Sequence, residues 1–134
     1  MNIKILKEKT KDLTLLYVED NEQLKNIKLE MFNEIFKKVV YAENGYEGLM
    51  KYQEEHFDLV ITDINMPVMD GLEMIEKIQK TDPCQSVIVL SAYAEIEYLT
   101  KLSKLNIYCF LTKPVDRKKL LLKIYESTTS QLAA

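Results

Sequence analysis

Five short apolar runs alternate along this chain with five longer stretches in which apolar residues recur every three or four positions. The runs are Leu13–Val18, Val39–Ala42, Leu59–Thr62, Val87–Leu90 and Ile107–Leu111, and their length and Val, Ile, Leu and Tyr content predict buried strands. Leu24, Ile27, Met31 and Ile35, widened by Leu29, Phe32 and Phe36, predict an amphipathic helix over Asn21–Phe36, with Asn21 as its N-cap. Asn44-Gly45-Tyr46-Glu47 and Asp70-Gly71-Leu72-Glu73 each place an acidic residue three positions after a capping side chain, so each opens a helix. The first of these runs to about Glu55; the second carries Leu72, Ile75 and Ile78 and stops by Asp82-Pro83. A fourth helix is predicted over Glu95–Leu105, with Ile96, Leu99, Leu102 and Leu105 inward. A fifth, capped by Asp116, carries Leu120, Leu121 and Ile124. Met1–Asp12 reads as a short helix or a loose lead-in, and Ser127–Ala134 as a polar tail.

Five strand-to-helix alternations imply an α/β fold, a parallel sheet wrapped by helices on both faces. At 134 residues the chain fits one domain with a core of its own. Composition narrows the function more by exclusion than by pointing. A formal net charge of −3 argues against nucleic acid as a partner, since phosphate-driven binding needs a concentrated positive surface. Lysines 101, 104, 118, 119 and 123 give the last two helices a basic tendency that reads first as a solvated face and second as a partner surface. No run of about 18 apolar residues is present to span a bilayer, and the first ten residues lack the apolar segment of a signal peptide. Cys84 and Cys109 form no CxxC, and with the lone His56 they cannot close a zinc site, so they are expected to be free thiols in a reducing cytoplasm. The three glycines form no phosphate-cradling loop.

The chemistry lies in what ends each strand. The first run ends on Glu19-Asp20, the third on Asp63, the fourth on Ser91 and the fifth is followed by Lys113. In a parallel sheet all of these emerge along one edge, where ligands bind. Three carboxylates brought together repel by several kcal/mol, roughly 4 kcal/mol per pair at 4 Å and an effective dielectric near 20. One lysine neutralises one of them, so the cluster calls for a cation. Oxygen-only ligands select a hard divalent ion, and Mg2+ fits best, with Mn2+ as the alternative. A metal, a lysine, a hydroxyl and a carboxylate nucleophile together are the equipment of phosphoryl transfer through an aspartyl phosphate, with Asp63 as the nucleophile.

Val18-Glu19-Asp20, Asp63-Ile64-Asn65-Met66-Pro67 with Asp70-Gly71, Leu90-Ser91-Ala92 and Lys113-Pro114, in this order and each at a strand end, resemble the receiver domain of bacterial two-component response regulators over about Lys11–Ser127. The resemblance implies a flavodoxin-like, doubly wound (βα)5 fold of chemotaxis-regulator type, with residues 1–12 as an extension, 13–127 as the receiver domain and 128–134 as a tail. It implies a phosphoacceptor switch rather than an enzyme. Asp63 would take a phosphoryl group from a sensor histidine kinase or a histidine phosphotransfer domain. Glu19, Asp20, Asp63 and the backbone carbonyl of Asn65 would hold Mg2+. Lys113 and Ser91 would meet the phosphate, and Phe110 stands at the position of the family's switch aromatic. The Lys113–Pro114 bond would be cis. Tyr93 falls where the family varies the entrance to the phosphosite, and the surface of the fourth helix, fifth strand and last helix would bind an effector or a second copy. No effector signature follows Ser127, so the chain is expected to be either a stand-alone receiver or a domain cut from a larger protein. Two rivals fit less well. A phosphatase of the haloacid-dehalogenase type would carry DxD after its first strand, where this chain has Glu19-Asp20-Asn21, and a flavodoxin would need a hydroxyl-rich phosphate loop there.

Overall fold

The alternating pattern resolves, in a computed structural model describing residues 2–92 and 100–133 with side chains through 129, into one five-stranded sheet. The elements are α1 (Ile3–Thr10), β1 (Thr14–Val18), α2 (Glu22–Ile35), β2 (Lys38–Ala42), α3 (Gly45–Glu54), β3 (Leu59–Asp63), α4 (Gly71–Thr81), β4 (Val87–Ser91), β5 (Cys109–Thr112) and α5 (Arg117–Ala133). All strand pairs are parallel and the order is β2-β1-β3-β4-β5. The chain steps outward from β1 to β2 and then returns to β3 on the other side. That reversal opens a crevice at the carboxyl ends of β1 and β3.

The sheet is buried on both faces, as its unbroken apolar strands require. Odd-numbered positions of β1 and β3, with Ile88, Leu90 and Leu111, pack beneath Leu6 of α1, Phe32 and Ile35 of α2, and Leu120 and Ile124 of α5. Leu16, Val18, Val60, Val87 and Val89 face the other way, against Leu72, Met74, Ile75 and Ile78 of α4. The predicted caps form. Asn21 Oδ1 accepts from the Leu24 amide at 3.1 Å, Asn44 Oδ1 from Glu47 at 2.9 Å and Asp70 Oδ1 from Glu73 at 2.9 Å.

One local alternative is decided and three expectations change. The N-terminal segment is an ordered helix whose Leu6 is fully buried, and Thr10 Oγ1 donates to the Ile35 carbonyl at 2.6 Å, tying α1 to the end of α2. Ile27, expected inward, is 69% exposed. The fifth strand starts at Cys109 rather than Ile107, because the Ile107 amide turns back onto the Leu105 carbonyl. The last helix continues through Ala133 instead of fraying at Ser127. The hydroxyls of Ser127 and Thr128 donate to carbonyls three residues back, at 2.7 Å each, and so satisfy themselves within the helix. Tyr93, Ile96 and Leu99, with the start of the predicted fourth helix, lie outside the described residues; residues 100–102 are helical. Among the described residues no helix is long and apolar enough to cross a membrane.

Candidate functional site

Side chains alternate across a strand with a period of two, so a core face propagates to the strand's end. Leu15 and Tyr17 place Glu19 on the α2–α5 side of the sheet, Leu59 and Ile61 place Asp63 there, and Leu111 places Lys113 there. Three residues far apart in sequence therefore meet. Lys113 Nζ lies 2.8 Å from Asp63 Oδ2 and 3.3 Å from Glu19 Oε1. One carboxylate oxygen each of Glu19, Asp20 and Asp63 all fall within 4.8 Å of one another. Glu19 is fully buried, Asp63 is 8% exposed and Asp20 opens to solvent, giving a pocket with a dry floor and a wet mouth.

The electrostatics follow from that packing. Burial raises the Glu19 carboxyl above its ordinary value; Lys113 pulls it down and Asp63 adds to the rise. Burial works against the Lys113 ammonium, but its hydrogen bond to Asp63 and the charges of Asp63 and Glu19 outweigh it and hold its pKa above the ordinary one. The Asn21 amide donates to Glu19 Oε2 at 3.3 Å, and the Tyr17 hydroxyl approaches Oε1 at 3.4 Å. Tyr17 is raised well above an ordinary phenol, by burial first and by Glu19 second. The Tyr41 hydroxyl donates to the Glu19 carbonyl. These two tyrosines brace Glu19, and the i, i+2 spacing of Tyr17 and Glu19 is the trace that one of them leaves in the sequence.

Asp63 is held by its own loop. The Ile64 amide donates to Asp63 Oδ1 at 2.7 Å, leaving Oδ2 to Lys113. The Gly71 amide reaches back to the Ile64 carbonyl at 2.8 Å, and a Cβ at Gly71 would stand 2.0 Å from the Asp63 carbonyl oxygen. Only glycine allows that approach. Gly45 does the same from α3, its amide donating to Met69 at 2.9 Å while a Cβ would meet the Met69 carbonyl oxygen at 2.4 Å. Between these anchors Val68 takes a positive φ of 71°, a left-handed conformation unusual for a β-branched residue.

The structure thus brings together Glu19, Asp20, Asp63 and Lys113. Asn65 is exposed two residues beyond Asp63. Ser91, 3% exposed, ends β4 beside them, in register with Thr112, and its carbonyl accepts from the Lys113 amide. Phe110 is partly buried on the opposite face of the sheet from Lys113, packed with the α4-side core; by strand parity Ser91 belongs to that same face. Lys113–Pro114 is cis. His56 is exposed and lies 3.2 Å from Asp58, away from the sheet's carboxyl edge. Lys28 lies on the inward side of α2, between Leu24 and Phe32, where a lysine reads as a gap in an apolar stripe.

The donor set fits a hard divalent ion. Three carboxylates with one ammonium among them carry an excess of negative charge, and among the described residues no thiolate or imidazole joins them to favour a softer metal. Fold and site together define a doubly wound α/β domain with an acidic, lysine-capped pocket at its switch point. Residues 15–125 match the family model described as "Response regulator receiver domain". The chain is 40% identical over 106 residues to the transcriptional regulatory protein GlrR of Escherichia coli (strain K12), covering 79% of this chain and 24% of that protein. It is 31% identical over 116 residues to the chemotaxis protein CheY of Halobacterium salinarum, covering 87% of this chain and 97% of that one. It also superposes on a crystal structure of the CheX–CheY–BeF3–Mg2+ complex from Borrelia burgdorferi with a TM-score of 0.78 and 28% identity, over 85% of this chain and 87% of that one. The chain belongs to the receiver domain family of two-component response regulators. It spans about a quarter of the length of the transcriptional regulator and nearly all of the chemotaxis protein. Receiver domains are signalling switches, and these matches lend no support to the phosphatase alternative.

Proposed function

We propose that this chain is a phosphoacceptor switch in which Asp63 takes a phosphoryl group from a phosphohistidine on a sensor kinase or phosphotransfer domain. The observation that carries this is the convergence of Glu19, Asp20 and Asp63 within 4.8 Å, with Lys113 Nζ 2.8 Å from Asp63 Oδ2. An Asp63 carboxylate oxygen forms the new bond to phosphorus as the phosphorus–nitrogen bond of the donor breaks, and the imidazole leaves with that electron pair and takes up a proton. The Ile64 amide, on Oδ1, orients the carboxylate. Lys113 meets the developing charge on a phosphoryl oxygen.

Glu19, Asp20, Asp63 and the Asn65 carbonyl would hold Mg2+ or Mn2+. A divalent ion bound there would supply charge neutralisation at the phosphoryl oxygens. Ser91, at the end of β4, turns its hydroxyl to the product. Phosphorylation brings about −1.5 to −2 charge to the end of β3. The resulting pull on Ser91 frees space for Phe110 and biases the surface built by the helix expected over Glu95–Leu105, β5 and α5 between two states. Typical coupling of about 1–3 kcal/mol suffices to shift their populations. That surface is where an effector or a second copy would bind.

The test is incorporation of acid-labile phosphate from acetyl phosphate with Mg2+. The wild-type chain incorporates it and Asp63→Asn does not; retained incorporation in that variant removes Asp63 from the role.

A further inference from the structure

One charged side chain sits where the fold asks for an apolar one. On α2, at 3.6 residues per turn, Lys28 lies about 40° from both Leu24 and Phe32 and about 20° from Ile35, at the centre of the helix's inward stripe. Phe32 and Ile35 are fully buried against the sheet, while Ile27, one residue before the lysine, is 69% exposed. The lysine therefore points at the sheet, on the same face as Glu19, Asp63 and Lys113.

Helical side chains lean toward the helix N-terminus, and α2 begins directly after Asp20. The Lys28 ammonium is thus aimed along the sheet face toward the carboxyl edge. It has no hydrogen-bond or ion-pair partner among the described residues, yet it lies within the fields of Glu19, Lys113 and Asp63, while burial lowers its pKa. A half-buried lysine stem is ordinary snorkelling where the head reaches water. Here the head runs toward a pocket of carboxylates.

We propose that Lys28 is a second cation of the phosphorylation site, disfavouring divalent metal in the resting chain and favouring the phosphorylated one. The inference rests on the phosphoacceptor reading of that site. In the resting chain, three carboxylates against Lys113 leave two negative charges in excess, and a divalent ion cancels them. A further cation then only opposes the metal. Phosphorylation replaces the single charge of the Asp63 carboxylate by about two on the phosphoryl group, leaving roughly one negative charge uncompensated. Lys28 supplies the balancing charge in that state alone. Its effect on metal and on phosphoryl group must therefore have opposite signs.

The experiment compares the wild-type chain with Lys28→Met and Lys28→Arg, all checked by thermal melting. Mn2+ affinity is read by electron paramagnetic resonance without phosphodonor, and beryllofluoride affinity by fluorine NMR at saturating Mg2+. Lys28→Met should bind Mn2+ roughly four-fold more tightly, the size expected for a unit charge acting on a dication across about 10 Å of water-like medium. It should bind beryllofluoride correspondingly more weakly, and Lys28→Arg should resemble wild type in both. Affinities that fall together in Lys28→Met would assign the lysine a structural role and overturn the proposal, as would no change in either. A wild-type chain that binds neither probe refutes the phosphoacceptor reading itself; one that binds both, with Lys28→Met unchanged, refutes only the role of Lys28.

Discussion

Gly71→Ala should destabilise the protein by about 2–3 kcal/mol and damage its metal site, although Gly71 ligates nothing. Its added Cβ would stand 2.0 Å from the Asp63 carbonyl oxygen and 3.1 Å from the Ile64 Cα, where ordinary contact begins near 3.4 Å. The atoms it meets are backbone, so no rotamer change relieves the clash and the two strands of chain must part by more than 1 Å. That stretches the 2.8 Å hydrogen bond from Gly71 to the Ile64 carbonyl beyond use, a net loss of about 1 kcal/mol. Overpacking adds roughly 1–3 kcal/mol. The better helix propensity of alanine returns at most about 1 kcal/mol at this first position of α4. With an unfolding entropy of about 2.1 cal/mol/K per residue, the net loss lowers the Tm by roughly 7–11 °C. Because the Ile64 amide holds Asp63 Oδ1 at 2.7 Å, Mn2+ affinity should fall in the same variant. Circular dichroism melts and Mn2+ titration measure the two effects. A Tm within about 2 °C of wild type would refute the claim that this contact fixes the loop. Lost stability with unchanged metal affinity would separate the loop from the site.

Val68→Asn should raise stability by about 0.5–1 kcal/mol in a urea titration, since asparagine tolerates the positive φ that strains an exposed valine; equal or lower stability would contradict the strain. Leu6→Ala should cost about 2–4 kcal/mol by the same measurement, because Leu6 is fully buried under α2 and α5, whereas a loosely attached α1 would make the change neutral. Iodoacetamide at pH 8 should label exposed Cys84 well before Cys109, as followed by peptide mass spectrometry. Burial above all, with a smaller push from the Glu126 charge, raises the Cys109 thiol to about 11 against the pull of Lys123, so only about one molecule in a thousand carries its thiolate at that pH. Labelling of Cys109 should accelerate as pH rises, and equal rates at pH 8 would refute its protection.

Local chemistry made much of this architecture legible. Asn21, Asn44 and Asp70 announce helix starts because a short polar side chain satisfies the orphan amides of its own helix, whatever packs around it. The site was readable for a related reason: once the sheet is parallel, Glu19, Asp63, Ser91 and Lys113 must leave it along one edge. What stayed hidden depends on tertiary contact. Docking of α1 turns on Leu6 and on Thr10 reaching Ile35, a partner 25 residues away. Ser127, Thr128 and Thr129 looked like a tail because they are weak helix formers, yet their hydroxyls bond to carbonyls of the preceding turn and two of the three are buried. Periodicity misplaced Ile27 because it scores a lysine as polar, and the true inward phase of α2 runs through Lys28. The left-handed turn at Val68 has no signal in a valine at all.

Locating the phosphoryl group itself decides whether Asp63 is the acceptor. The chain is treated with acetyl phosphate and Mg2+, the acyl phosphate is trapped by borohydride reduction, and the reduced residue is identified by peptide mass spectrometry. One reduced position is expected, Asp63, and it disappears when Mg2+ is withheld. Reduction at Asp20 or another carboxylate, or none in the wild-type chain, would contradict that assignment.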